Sequence, residues 1–162
     1  MTRFTDLTGC RVPVQQAPMG SVSTSALAVA VADAGGVGSI TALGMTAAQV
    51  DTVLAGLAAR TAGVLAANFL TGNIDPEAVA AAAGRVRIVD FFWADPDPAL
   101  VEVAHRGGAL VCWQVGSLDE ALAAAEAGCD MVVVQGTEAG GHVRGHSEPQ
   151  GVSGQAVRGQ LR

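Results

Sequence analysis

Lysine and tyrosine are both missing from this chain of 162 residues, and only 4% of it is aromatic. Charge is scarce as well, at 15% of residues against roughly 25% in ordinary soluble domains. The nine cations are all Arg and face fifteen acids, for a net charge of −6. Such a balance repels phosphate backbones and anionic lipid, which argues against a nucleic-acid partner. Long apolar runs are lacking too. The best candidate, Ala26 to Ala32, stops at Asp33, far short of the roughly 18 residues of a membrane span. No apolar stretch follows Met1 to Leu7, so no secretory signal is read there. Cys10, Cys112 and Cys129 are odd in number and far apart, which fits reduced thiols rather than a disulfide framework or a CxxC or metal site. These absences predict a cytoplasmic chain.

What is present is apolar and regular. Half the residues are hydrophobic, with alanine supplying much of the count, and the length suits one domain. Elements buried on several faces suit a layered α/β protein. Val12 to Ala17 reads as a strand, with Pro18-Met19-Gly20 as the turn after it. Ser23-Thr24-Ser25 starts a helix that ends at Gly35-Gly36, and Val37 to Ile40 is a second strand. Thr46-x-x-Gln49 is a capping box, Gly63 to Phe69 a third strand, and Asp75-Pro76-Glu77 a helix start. Arg87 to Phe92 is a fourth strand, followed by the same helix start at Asp97-Pro98. Ala109 to Val115 is a fifth, Ser117-x-x-Glu120 a second capping box, and Met131 to Gln135 a sixth strand. Strand–helix units recurring at this pace predict a parallel sheet.

Two architectures use such units, the open doubly wound sheet and the eight-stranded barrel. The turn after the first strand reads Ala17-Pro18-Met19-Gly20-Ser21-Val22, with one glycine where a dinucleotide fingerprint needs three. Gly36-Val37-Gly38 lies after a helix and before a strand, the wrong side for cradling a pyrophosphate, and reads as helix-to-strand packing. The expectation is a TIM-barrel-type α/β fold with about six of eight βα units, an incomplete barrel.

Four segments stand in order along it: Gln16-Ala17-Pro18-Met19, Ala34-Gly35-Gly36-Val37-Gly38-Ser39-Ile40, Asn68-Phe69, and Gln135-Gly136-Thr137-Glu138-Ala139-Gly140-Gly141-His142. Together they resemble the nitronate monooxygenase family, also called 2-nitropropane dioxygenases, from about Arg11 to Arg144. The FMN-dependent enoyl-[acyl-carrier-protein] reductases share much of the pattern. The resemblance implies a flavoprotein oxidoreductase with FMN at the carboxyl ends of the strands, oxidising small alkyl nitronates with dioxygen. It implies that Ala17, Pro18, Met19, Asn68, Gln135 and Gly140 contact FMN and that His142 is the active-site histidine. The chemistry is consistent: Asn and Gln offer both donor and acceptor to the polar edge of a flavin, and Gly140-Gly141 admits close backbone approach. A histidine there can hydrogen-bond a nitronate or take a proton from a nitroalkane.

Plainer readings stand beside these. Asn68 can simply close a strand, Met19 can be core filler, and Glu138 can be an exposed loop acid rather than a base. His105 suits the end of a helix, where a cation complements the dipole, and His146 lies in a polar tail. Phe91, Phe92 and Trp93 line either a pocket or the core. Beyond Arg144 the chain departs from the family pattern, so the expected organisation is a partial FMN-binding barrel over 1–145 and a divergent, disordered tail over 146–162. A fragment and a frame that diverges near Gly145 are both open readings. So are an inactive product and self-association through open barrel edges.

Overall fold

Five parallel strands run through the computed structural model in the simplest order, β1 (Val37–Thr41), β2 (Val64–Leu70), β3 (Ile88–Phe92), β4 (Leu110–Val115) and β5 (Met131–Val134). The structure describes residues 2–70, 74–93, 95–136 and 139–140. Helices α2 (Ser25–Asp33), α3 (Ala47–Ala58), α4 (Pro76–Ala83), α5 (Pro98–Arg106) and α6 (Leu118–Glu126) alternate with the strands, as in a partial βα barrel. Before them comes α1 (Arg3–Thr8), which Thr2 and Thr5 cap reciprocally. Its capping partner is Thr rather than Glu or Gln, so the sequence carries little sign of it.

The helix starts form where their residue types dictate. Thr24 accepts from Leu27 N, Asp75 from Glu77 N and Asp97 from Ala99 N, satisfying orphan amides of the first turns. Thr46 and Gln49 make the full reciprocal box. Ser117 and Glu120 do so only in part: Ser117 accepts from Glu120 N at 3.2 Å, while the Glu120 carboxylate reaches past it to Gly116 N at 2.7 Å.

One expected strand is corrected. Val12 to Ala17 shrinks to a single bridge, Gln15 against Val37. Pro13 has no N–H to give a ladder, and Val14 N turns back to Val12 O at 2.7 Å. The βα rhythm survives, since Val37 N still donates to Val14 O and Gln16 N to Val37 O.

Strands β1 to β4 bury both faces, but with different partners, whereas β5 is largely exposed. Toward the helices point Ile40, Leu65, Phe69, Val89, Phe91, Val111, Trp113 and Val115, packed on α2 to α6. Phe69, Phe91 and Trp113 stand side by side on neighbouring strands, with ring centroids 6.0 and 4.7 Å apart. Phe91 is therefore core. Gly38 lets α2 lie directly on β1, because a Cβ there would run into the Ala28 carbonyl. This bears out the packing role read for the Gly36–Gly38 pair. On the opposite face a smaller cluster of Cys10, Val37, Ala66, Ile88 and Cys112, with Phe4 of α1 against it, fills the amino-terminal end. Among the described residues no helix is long and apolar enough to cross a membrane.

Candidate active site

The inner face changes character along the strands. Parallel register sets Thr41, Asn68, Asp90, Cys112 and Met131 on one rung across all five. Below that rung the inner residues are apolar except for the buried Ser39; at it and above come the polar Asn68, Asp90 and Gln114. A cavity of about 440 Å³ opens there, within the usual range for small-molecule sites. Its position at the carboxyl ends of parallel strands is where barrel sites are built.

The loop after Gln15 forms one wall. Gln16 is buried and donates from Nε2 to Ser39 O at 2.9 Å and to Ser23 Oγ at 3.1 Å. Ser23 Oγ accepts from Met19 N at 2.8 Å and donates to Ala17 O at 3.2 Å. These bonds lock the segment so that Ala17 and Pro18 border the cavity. Asn68, buried on β2, sits at the middle, its Nδ2 reaching Asp90 O at 3.5 Å. Gln135, Gly136, Ala139 and Gly140 close the side after β5, with Gln135 N bonded to Val115 O. No described neighbour crowds the position of a Cβ at Gly140.

The cavity thus gathers five predicted residues, Ala17, Pro18, Asn68, Gln135 and Gly140. Met19 lies beside it, 45% exposed and outside the lining. His142 and Glu138 lie outside the described residues, as does His146. His105 sits at the other end of the strands, its Nε2 2.9 Å from Asp130 Oδ2. Trp93 follows β3 with φ of +86°, a costly backbone conformation for a bulky side chain.

Sequence reasoning passed over Asp90, Gln15, Cys112 and Gln114, all of which line the cavity. The missed signal was a lone carboxylate inside Ile88-Val89-Asp90-Phe91-Phe92, a strand otherwise apolar throughout. Gln15 Nε2 donates to Asp90 Oδ2 at 2.8 Å, and the Cys112 thiol also hydrogen-bonds the carboxyl. Burial raises the Asp90 carboxyl to about 7, against which these two bonds act only weakly. Burial, and then the neighbouring Asp90, hold the Cys112 thiol well above its ordinary range. Burial and Asp130 push Cys129 up to about 11. Neither thiol is set up as a nucleophile. No Arg or His lines the cavity among the described residues.

Residues 1–81 and 64–158 match a family model described as nitronate monooxygenase. A nitronate monooxygenase of Pseudomonas aeruginosa is 35% identical over 98% of this chain and 56% of its own length. A 5-hydroxy-7a-methyl-1-oxo-octahydro-1H-indene-4-carboxyl-CoA dehydrogenase of Mycobacterium tuberculosis is 34% identical over 87% of this chain and 40% of its own. Among solved structures, FabK from Thermotoga maritima superposes with a TM-score of 0.81 at 27% identity, covering 87% of this chain and 46% of that one. A nitroalkane oxidase from Streptomyces ansochromogenes superposes at 0.73, also with 27% identity, over 87% and 50%. The chain spans about half the length of the curated relatives it matches.

Proposed function

The chain belongs to the nitronate monooxygenase family, and on that premise we propose that it encodes an FMN-dependent site for oxidising small alkyl nitronates with dioxygen. The observation that carries the reading is the cavity at the strand ends, where Ala17, Pro18, Asn68, Gln135 and Gly140 converge. Its chemistry fits a flavin ring. Ala17, Pro18 and Val133 offer flat apolar contact, while Asn68, Gln114 and Gln135 offer donors and acceptors for a polar ring edge. It does not by itself fit the phosphate, since no cation lines it among the described residues.

Bound FMN would supply the electron acceptor that passes electrons on to dioxygen. The chain's own part is binding and proton handling. In this reading Ala17, Pro18, Met19, Asn68, Gln135 and Gly140 hold and orient the ring, within a binding unit spanning 1–145. His142 hydrogen-bonds the anionic nitronate oxygen, or takes the carbon-bound proton when the substrate arrives as a neutral nitroalkane. A cytoplasmic setting belongs to the same proposal.

The first test is the visible spectrum of the purified chain after gel filtration, with and without added FMN. Weak binding that depends on added FMN is the expected result, since no cation for the phosphate lines the cavity among the described residues; no binding at any FMN concentration overturns binding by this chain. The second is oxygen consumption with propionate 3-nitronate. It is expected to depend on FMN and to fall by about two orders of magnitude or more in His142→Ala. A second reading, an FMN-dependent enoyl-[acyl-carrier-protein] reductase-like oxidoreductase, is favoured by the relative named as a carboxyl-CoA dehydrogenase, whose named substrate is a thioester. NADH oxidation that requires an enoyl thioester, without nitronate turnover, would select it.

A further inference from the structure

Two residues lining the cavity, Gln16 and Asp90, carry a buried side-chain oxygen without a hydrogen-bond partner among the described residues, and only that of Asp90 is ionisable. Asp90 is 6% exposed on the inner wall, and while Oδ2 accepts from Gln15, Oδ1 is buried with no hydrogen-bond partner among the described residues. A polar oxygen enclosed in this way is costly unless something in the site takes it up. No cation lines the cavity among the described residues, and only the hydrogen bonds from Gln15 and Cys112 favour an anion, against the larger effect of burial. Across from Asp90 stand the neutral amides of Gln15, Asn68, Gln114 and Gln135, together with Val133 beyond β4. The one other titratable group lining the cavity among the described residues is the Cys112 thiol, which faces Asp90 from β4; Cys129 and Asp130 act on that thiol from the end of α6.

We propose that Asp90 is a ligand-binding residue, donating a hydrogen bond from Oδ1 to a carbonyl oxygen or ring nitrogen of the flavin held in this cavity. The inference rests on the flavin reading above. A neutral carboxyl has one donating and one accepting oxygen. The N–H of Gln15 fixes Oδ2 as the acceptor, which leaves the hydroxyl on Oδ1. Asp90 shares its rung with Asn68, so the two present donors at one level of the site. A carboxylate would face the same ring edge with lone pairs only, and binding would weaken. With the carboxyl at about 7, the donor form is abundant at neutral pH and is lost as pH rises. Each further unit removes about tenfold of it.

The test is titration of riboflavin into the purified full chain between pH 6.5 and pH 8.5, read by flavin fluorescence, with FMN in parallel. Riboflavin carries no phosphate, whose own ionisation near pH 6 would otherwise overlap. The wild-type Kd for riboflavin is expected to rise on the order of tenfold across this range. Asp90→Asn donates at every pH; it should keep the affinity of the acid end and lose the pH dependence. Asp90→Ala should bind weakly throughout. Carbon-13 NMR of the aspartate-labelled wild-type chain follows the carboxyl itself without any ligand and needs no variant to fold. Riboflavin binding that is flat with pH, a decline that persists in Asp90→Asn, or a carboxyl titrating in the ordinary range overturns the assignment and leaves the flavin reading standing. No flavin binding at any pH overturns both.

Discussion

Burial of Asp90 gives the fold a pH dependence whose sign can be worked out. An ordinary aspartate ionises near 3.8, whereas Asp90 in the fold holds its proton to about 7. Between those values the folded chain keeps a proton that the unfolded chain has released, so stability falls as pH rises from about 4 to 7 and then levels off. The full difference is about 4 kcal/mol. Asp90→Asn should remove most of that slope and raise the unfolding free energy at pH 8 by a few kcal/mol, on the order of the same term. Denaturant unfolding at pH 5 and pH 8 measures both; an unchanged slope in the variant would place its source elsewhere. Gly38 is a second residue with a single physical role. A methyl group there meets the Ala28 carbonyl, so Gly38→Ala should cost about 3 kcal/mol as α2 is pushed off β1. Equal stability of variant and wild type would mean that α2 yields without loss.

Among the elements, helices were more legible than strands. Their starts depend on contacts three residues apart, and Thr24, Thr46, Asp75, Asp97 and Ser117 all cap as read. Thr46→Ala should cost about 1 kcal/mol, because Gln49 N loses its acceptor and the box is broken. A change in melting temperature that the compensating Thr46→Ser fails to restore would argue against capping as the cause. Strand residues are different, because a strand exists only with a neighbour. Val12 to Ala17 has the residue types of a strand, but Pro13 breaks the ladder and one bridge remains. Helix α1 errs in the other direction, since its capping partner Thr5 is an unusual choice.

For the whole molecule the decisive feature is the far side of β5. Among the described residues β5 pairs only with β4, and Val134 is 58% exposed; on α6 nearby, Leu118 is 70% exposed. An apolar strand with a free edge pairs readily with another chain. Concentration-dependent self-association is therefore expected in sedimentation velocity, and Val134→Lys should reduce it by charging that edge. A monomer at all concentrations would show that the edge is covered.

The sequence alone determined the alternation of strands and helices, the caps, the family and five of the residues that line the cavity, Ala17, Pro18, Asn68, Gln135 and Gly140. Those properties are carried by local contacts and by short segments whose order is visible in one dimension. Only the tertiary structure decided that Asn68, Asp90 and Cys112 share one rung, because the alternation along each strand sets which face a residue takes, while its partner across the sheet depends also on how α2 to α5 pack. The same register turned Phe91 toward the helices and Asp90 toward the cavity, one residue apart on the same strand. The proton on Asp90 belongs to that level as well, since it depends on the burial that the packed inner face imposes.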